Sequence, residues 1–446
     1  MKDSTPRARQ VEIKTRRRLT DRIPDLLRET AFRRYWSAQS ISMFGDQISS
    51  LALPLVAVLA LHANAAQMGF LAALVWLPSL LFGLHAGALV DRKGRRRHTM
   101  IMADLGRAAL LLSIPVCYSA GVLTLWQLYG VAFGVGTLSV LFVVSDPALF
   151  VSLVPDDKYV SGQSLVYGSR AISFVGGPSV GGIAVQLLSA PGAVLADALS
   201  YLGSAFFLTR IRPTEPPKAE PGKGSLLVGA KFVKNSPIVR SSLTAVSVIN
   251  FFDFVFLALF VLYATKSLHV VPGVLGLVLG AGAIGGVLGA AVTKKMAERL
   301  GVGRAYTLGC LLFTAPLALV PAATGPRPVI LAMLFAAEFI SGFGVMALDI
   351  SIGAIFAAVI PNEMRSRVTG AFQAVNYGTR PLGALAGGLL GTLIGIRPTL
   401  WIAVAGATFG FVLLLPTPIP KFTMPSQEEK IARPESPSQT LIDNAA

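Results

Sequence analysis

The amino-acid sequence predicts an all-α membrane protein with twelve transmembrane helices in two parallel six-helix repeats. Three observations carry this: the composition, the placement of charge and an internal duplication. Of 446 residues, 53% are hydrophobic and only 14% charged, and the mean hydropathy is +0.64. The apolar residues are gathered into runs of the roughly 20 residues that cross ~30 Å of hydrocarbon at ~1.5 Å per residue. A soluble domain carries about a quarter of its residues as Asp, Glu, Lys or Arg, so a soluble fold is excluded.

Taken in order, residues 1–34 form a basic N-terminal tail, with a surface helix expected near Asp25 to Phe32. Spans are expected at 35–61, 67–90, 99–120, 122–154, 160–188 and 190–210 in the first half (35–210). A linker (211–239) follows, Pro-rich at its start and able to form an interfacial helix over Leu226 to Val233. The second half (240–416) holds spans at 240–264, 271–293, 303–323, 328–360, 366–396 and 398–416. The tail 417–446 is rich in Pro, Ser and Glu and is expected to be disordered. The fourth and tenth runs exceed one membrane thickness and are expected to project into the cytosol.

Charge placement sets the orientation. With this topology 33 of the 39 Lys and Arg fall on the side of the N-terminus, three lie within spans (Arg107, Arg170, Arg380), and only Lys266, Arg327 and Arg397 lie opposite. The positive-inside rule then puts both termini in the cytosol of a multi-pass cell-membrane protein. The net charge of +16 does not indicate nucleic acid, because the cations sit between apolar spans instead of sharing one folded face with polar or aromatic readers. Cys117 and Cys310 are isolated in apolar surroundings and read as packing residues, with no metal site, cofactor or disulfide expected. No cleavable signal peptide is expected, so the first helix serves as the insertion signal.

The duplication is direct. Ser40–Asp46 (SISMFGD) aligns with Ser247–Asp253 (SVINFFD), and Arg92-x-Gly94 with Arg299-x-Gly301, both at an offset of 207; Tyr167-Gly-Ser-Arg170 aligns with Tyr377-Gly-Thr-Arg380 at 210. Six helices per repeat keep equivalent helices pointing the same way, so the halves are related by an axis along the membrane normal, with a cavity between them. That is the architecture of a transporter.

A charged hairpin between the second and third spans carries Gly87, Asp91, Arg92, Gly94, Arg95 and Arg96. Gly94 permits a tight reversal there. The spacing G-x-x-x-D-R-x-G-R-R resembles the loop 2-3 signature of the major facilitator superfamily. The resemblance implies that fold, alternating access, and docking of Asp91 at the start of helix 11, around Arg365 to Thr369, in the outward-open state. In helix 5, Gly176, Gly177, Pro178, Gly181 and Gly182 resemble the superfamily's antiporter motif, although Ser164 and Ser173 stand where the fuller pattern has glycine. The phrases Phe44-Gly-Asp46, Asp104-x-x-Arg107, Asp146-Pro-Ala148, Leu153-Val-Pro155 and Asp197-Ala-Leu-Ser-Tyr201 resemble the branch with macrolide efflux pumps and the enterobactin exporter.

Gly280-Ala-Gly282-Ala-Ile-Gly285 matches the dinucleotide fingerprint by letter. Because it lies inside an apolar run of spanning length, with no preceding polar-flanked strand, it reads as a close-packing stripe. No phosphate-binding G-x-x-x-x-G-K-[ST] loop is present, so ATP bound by this chain is not the expected energy source.

Charges inside a membrane cost about 3 kcal/mol each on insertion scales and usually mark function. The candidates are Asp46, Asp253, Asp104, Arg107 and Glu338, with the repeat-related Arg170 and Arg380; Asp104 and Arg107 share a helical face and can neutralise each other. Asp46 and Asp253 occupy equivalent places in the two halves without an opposite charge one turn away. Trp76 with the i, i+4 pair Phe252 and Phe256 is expected to form an apolar wall of the central site. The reading is a monomeric, non-enzymatic, proton-coupled exporter of small amphipathic molecules in the drug, antibiotic or siderophore-like class. Its partners are substrate, protons and lipid, with no nucleic acid. An uptake symporter of the same fold and a non-transporting sensor or scaffold are the alternatives, and the substrate cannot be read.

Overall fold

The protein is seen in a computed structural model that describes residues 24–213 and 226–424, with backbone alone at 84–93, 226–228, 362 and 366. Among the described residues there is helix and no strand. Twelve long helical runs follow one another: α1 Thr30–Leu55, α2 Ala65–Lys93, α3 Arg96–Ser119, α4 Leu125–Leu153, α5 Tyr159–Leu188, α6 Ala190–Thr209, α7 Pro237–Leu262, α8 Pro272–Leu300, α9 Val302–Thr314, α10 Arg327–Val359, α11 Arg365–Leu393 and α12 Ile396–Val412. α9 continues through a 3-10 turn to Ala322. Ten of the twelve are long and apolar enough to cross a membrane by composition alone. Of the other two, α11 carries Arg365, Arg367 and Arg380, and α12 has 17 residues. A helix of Leu226–Asn235 lies in the linker, as the sequence suggested, and packs on α11.

The duplication is written into the backbone. α1 ends in a π turn at Val56–Ala60 and α7 in one at Tyr263–Ser267, again 207 residues on. The same bonds close both: Ala63 N–H donates to Ala57 C=O and Val270 N–H to Ala264 C=O, each at 2.9 Å. His62 and His269 follow, each with φ of 52°, a left-handed conformation uncommon outside glycine. Gly94 and Gly301 take φ of 63° and 86° at the corresponding reversals, where a side chain would be strained.

Within the first half α1 packs on α5 and α6, α2 on α4, and α3 on α4 and α6; the second half repeats this with α7 on α11 and α12, α8 on α10, and α9 on α10. The halves meet where α2 lies against α11 and α5 against α8. Glycine makes these contacts close: a side-chain carbon on Gly388 would sit 2.9 Å from the Gly69 Cα, and one on Gly182 would sit 2.8 Å from the Gly276 Cα. Both contacts lie away from the end that carries Arg95–Arg97, Lys158, Lys294, Arg299 and Arg365, here called the basic end. Toward the basic end α5 rests on its own half, with Val166, Ser169 and Ser173 buried and Gly162 against Phe150 of α4, while Tyr167 is 60% and Ile172 70% exposed. The glycine contacts thus join the halves at the end away from the basic one.

Several boundaries differ from expectation, the largest shift being the end of α8 at Leu300 where 293 was expected. α1 begins at Thr30 and not at 35, because Phe32 and Tyr35 are fully buried against Phe150 of α4; the expected surface helix shrinks to Asp25–Arg28, with Leu26 buried. α4 starts at Leu125, three residues late, since Gly121 turns the chain at φ 70° and Thr124 caps the helix by accepting from Gln127 N–H. The tail calls before residue 24 and after 424 lie outside the described residues.

Candidate functional site

Two polar clusters surround the repeat-related acids Asp46 and Asp253 and are otherwise built from different helices. In the first, Asp104 and Arg107, one turn apart on α3, form an ion pair with side chains 0% and 3% exposed. The Arg107 guanidinium lies 4.1 Å from the centre of the Tyr201 ring and 4.5 Å from that of Phe142, and donates to Ser139 Oγ at 3.4 Å. Tyr201 Oη in turn donates to Asp46 Oδ1 at 2.5 Å, and on the same helix Ser200 Oγ donates to Asp197 Oδ1 at 2.9 Å. Gly45 lets α1 come down onto Ser200 and Asp197. The buried Asp104, Arg107, Asp197 and Tyr201 and the half-buried Asp46 form one network drawn from α1, α3 and α6. Asp197 and Tyr201 were legible in the sequence only as family marks; their i, i+3 and i, i+4 spacing with Ser200 and Ser204 was the signal that they share the inward face.

Near the basic end Asp146 of α4 accepts from Tyr35 Oη at 2.6 Å and from the Gln39 amide, which ties α4 to α1. Arg170 of α5 is exposed and lies within electrostatic reach of both Asp46 and Asp146.

The second cluster is built from α2, α7, α10 and α11. Arg380 lies 4.3 Å from the Trp76 ring centre, 4.6 Å from that of Tyr377 and 5.2 Å from that of Phe254, and Trp76 meets Phe254 edge to face at 5.4 Å. Asp253 lies within electrostatic reach of Arg380, and Glu338 within that of Asp253; Glu338 also lies against Gly282 of α8. The acid of α1 faces the arginine of α5 as the acid of α7 faces that of α11, so the repeat preserves a relation and not merely residue types.

The expected aromatic wall is corrected. Trp76 does face the second cluster, but Phe252 packs against Gly406 of α12 and Phe256 stacks on Phe260 in the core. Residues 252 and 256 share a helical face, and that face turns away from α2, leaving Phe254 as the ring that meets Trp76.

The helix 5 motif divides its work. Gly177 and Gly181 lie against Gln47 and Ile48 of α1, whereas Gly182 meets Gly276 of the other half. Pro178 is buried within the helix. The fingerprint glycines sit inside α8: Gly280 faces Ser179, Gly282 faces Glu338 and Gly285 faces the Phe339 backbone, so they serve helix packing. At the hairpin, Arg97 donates to the Leu208 and Thr209 carbonyls at the end of α6, at 2.8 and 2.6 Å, a favourable place for a cation. Arg95 is exposed and Arg96 buried. The side chains of Gly87, Asp91 and Arg92 lie outside the described residues, and with them the Asp91 docking. Cys310 is buried and Cys117 partly so, and no cluster of metal-ligating side chains occurs among the described residues.

Among proteins of known sequence, the chain is 27% identical over 386 residues to the MFS-type transporter YfiS of Bacillus subtilis, covering 81% of this chain and 86% of that one. It is 28% identical over 385 residues to the multidrug efflux pump Tap of Mycolicibacterium fortuitum (80% and 88% covered). It is also 24% identical over 292 residues to the staphyloferrin A transporter of Staphylococcus aureus (63% and 70%). Among solved structures the fold is shared with a bacterial homologue of the iron transporter ferroportin in an inward-facing state, at a TM-score of 0.70, 15% identity and 88% and 99% coverage. The nucleoside transporter NupG matches with a TM-score of 0.66, 14% identity and 88% and 98% coverage. Residues 25–445 match the transmembrane secretion effector family, and with twelve helices in two repeated halves the chain belongs to that family of the major facilitator superfamily.

Proposed function

We propose that the chain is a proton-driven exporter of small amphipathic molecules, working by rocking its halves about the α2–α11 and α5–α8 contacts. The observation that carries this reading is the buried network around Asp46: three carboxylates, Asp46, Asp104 and Asp197, gather around the single guanidinium of Arg107. Such a network can take up and release a proton without recruiting another cation, and Tyr201 links Asp46 to Arg107 so that the change is felt in α1, α3 and α6 together. The basic end faces the cytosol of a cell membrane, as the distribution of Lys and Arg favours. On this reading substrate enters between the halves from the cytosolic side. Similarity to the Tap efflux pump supports export. The protein acts as a monomer, catalyses no covalent chemistry and binds no nucleic acid.

Asp46 is the principal proton carrier, with Asp253 second, and Asp104, Arg107 and Glu338 as the groups that respond to it. The helix 5 glycines and the hairpin motif set the closed and open ends. The test is efflux driven by an imposed pH gradient in proteoliposomes, on a substrate first identified with a compound panel in a pump-deficient host. Asp46→Asn should abolish uphill export at matched protein levels while leaving downhill exchange. Uphill export by Asp46→Asn with the parent's pH dependence would move the carrier to Asp253, Asp104 or Glu338. No flux of any compound by the parent would defeat the transport reading.

A further inference from the structure

The aromatic enclosure of Arg380 plays no part in the proton exchange argued above, and it leaves a buried guanidinium nitrogen without an acceptor. We propose that Arg380, with the rings of Trp76, Phe254 and Tyr377 around it, binds the carboxylate of an amphipathic organic anion, so that the exported molecules are monoanions. The inference rests on the transport reading and names its substrate class.

A guanidinium offers five N–H donors and accepts nothing. The Arg380 contacts described above are to ring faces, which steady a cation but do not accept its hydrogen bonds in the guanidinium plane. Its Nε is buried without a hydrogen-bond acceptor. Among the described residues no carboxylate oxygen lies within the 4.0 Å that defines an ion pair with Arg380. Asp253 and Asp349 stand within electrostatic reach only, offsetting charge without occupying donors. Buried polar groups are normally paired, and an exception points to a missing partner. The partner that suits a planar donor fork is a carboxylate, which can accept two parallel hydrogen bonds.

The surroundings narrow the class. Trp76, Phe254 and Tyr377 provide flat apolar faces for an aromatic or alkyl body. Gln373 and Val375, lower on α11, are exposed, so the stretch borders open space on the basic side. The carboxyl groups of Asp253 and Glu338 on the neighbouring helices disfavour a second negative charge. Trp76 belongs to the first half and the other residues to the second, so a ligand seated here touches both bodies that must move.

The test uses the full chain in lipid nanodiscs with Trp36, Trp126 and Trp401 replaced by Phe, leaving Trp76 as the reporter. Fluorescence is titrated with three probes of one shape and different charge: 4-phenylbutanoate, 4-phenylbutanamide and 4-phenylbutylammonium. The carboxylate should bind about tenfold or more tighter than the other two, the scale of hydrogen bonds to a charged group. Arg380→Gln should erase the preference and Arg380→Lys should keep part of it. If the reporter background is unstable, radiolabelled 4-phenylbutanoate on the unmodified chain, competed by the amide and the ammonium, gives the same comparison. Equal binding of the three probes, tighter binding of the ammonium, no binding of the carboxylate, or an undiminished preference in Arg380→Gln overturns the proposal. If that happens while pH-driven efflux persists, only the anionic class falls; if the preference holds and efflux is absent, the transport reading falls instead.

Discussion

Replacing Arg107 with Met tests the first cluster as a unit. The substitution keeps an apolar stem of similar length but removes the ion pair to Asp104, the contact with Ser139 and the ring contacts with Tyr201 and Phe142. Asp104, with a fully buried side chain, is then left without its cation. Removing one partner of a buried pair costs about 3–5 kcal/mol, most of it from the stranded charge. Asp104→Asn leaves Arg107 its rings and its reach to Asp46, so its cost should be closer to ~1–3 kcal/mol. The double variant no longer strands a charge at position 104, although Asp46 and Asp197 still lose the guanidinium. It should be less destabilised than the sum of the singles by about 2 kcal/mol, within the range measured for coupled neighbours. Unfolding by SDS in mixed micelles, followed by circular dichroism at matched pH, measures all four corners of the cycle. If Arg107→Met costs under ~1 kcal/mol, or the singles add, the cluster is not the buried network described.

Gly182→Leu forces a side chain into the Gly276 backbone of the other half; efflux should be lost with normal expression, and Gly83→Leu, whose surroundings are open, should be tolerated. Gly94→Val places a branched side chain at φ 63° and should destabilise by about 1–2 kcal/mol, read as a lower melting temperature, with Gly301→Val behaving alike. His62→Gly, at φ 52°, should stabilise modestly, by less than about 1 kcal/mol, in the same assay. Joint replacement of Cys117 and Cys310 by Ala should leave transport intact, and loss of flux at normal expression would reopen their reading as packing residues.

Sequence alone determined the succession of helices and the duplication. Each of these depends on local properties: a run of apolar residues must span, and a repeated segment folds twice to the same shape. The offset of 207 therefore reappears in the π turns and in His62 and His269, which no residue pattern had singled out. The Asp104–Arg107 pair was also legible, because i, i+3 residues of one helix must share a face. Only the tertiary structure decided which groups from different helices meet. Tyr201 reaches Asp46 because Gly45 lets α1 and α6 approach, and Phe254 rather than Phe252 or Phe256 meets Trp76 because the rotation of α7 is set by packing on α11 and α12. Helical period states which residues share a face, and packing decides what that face looks at.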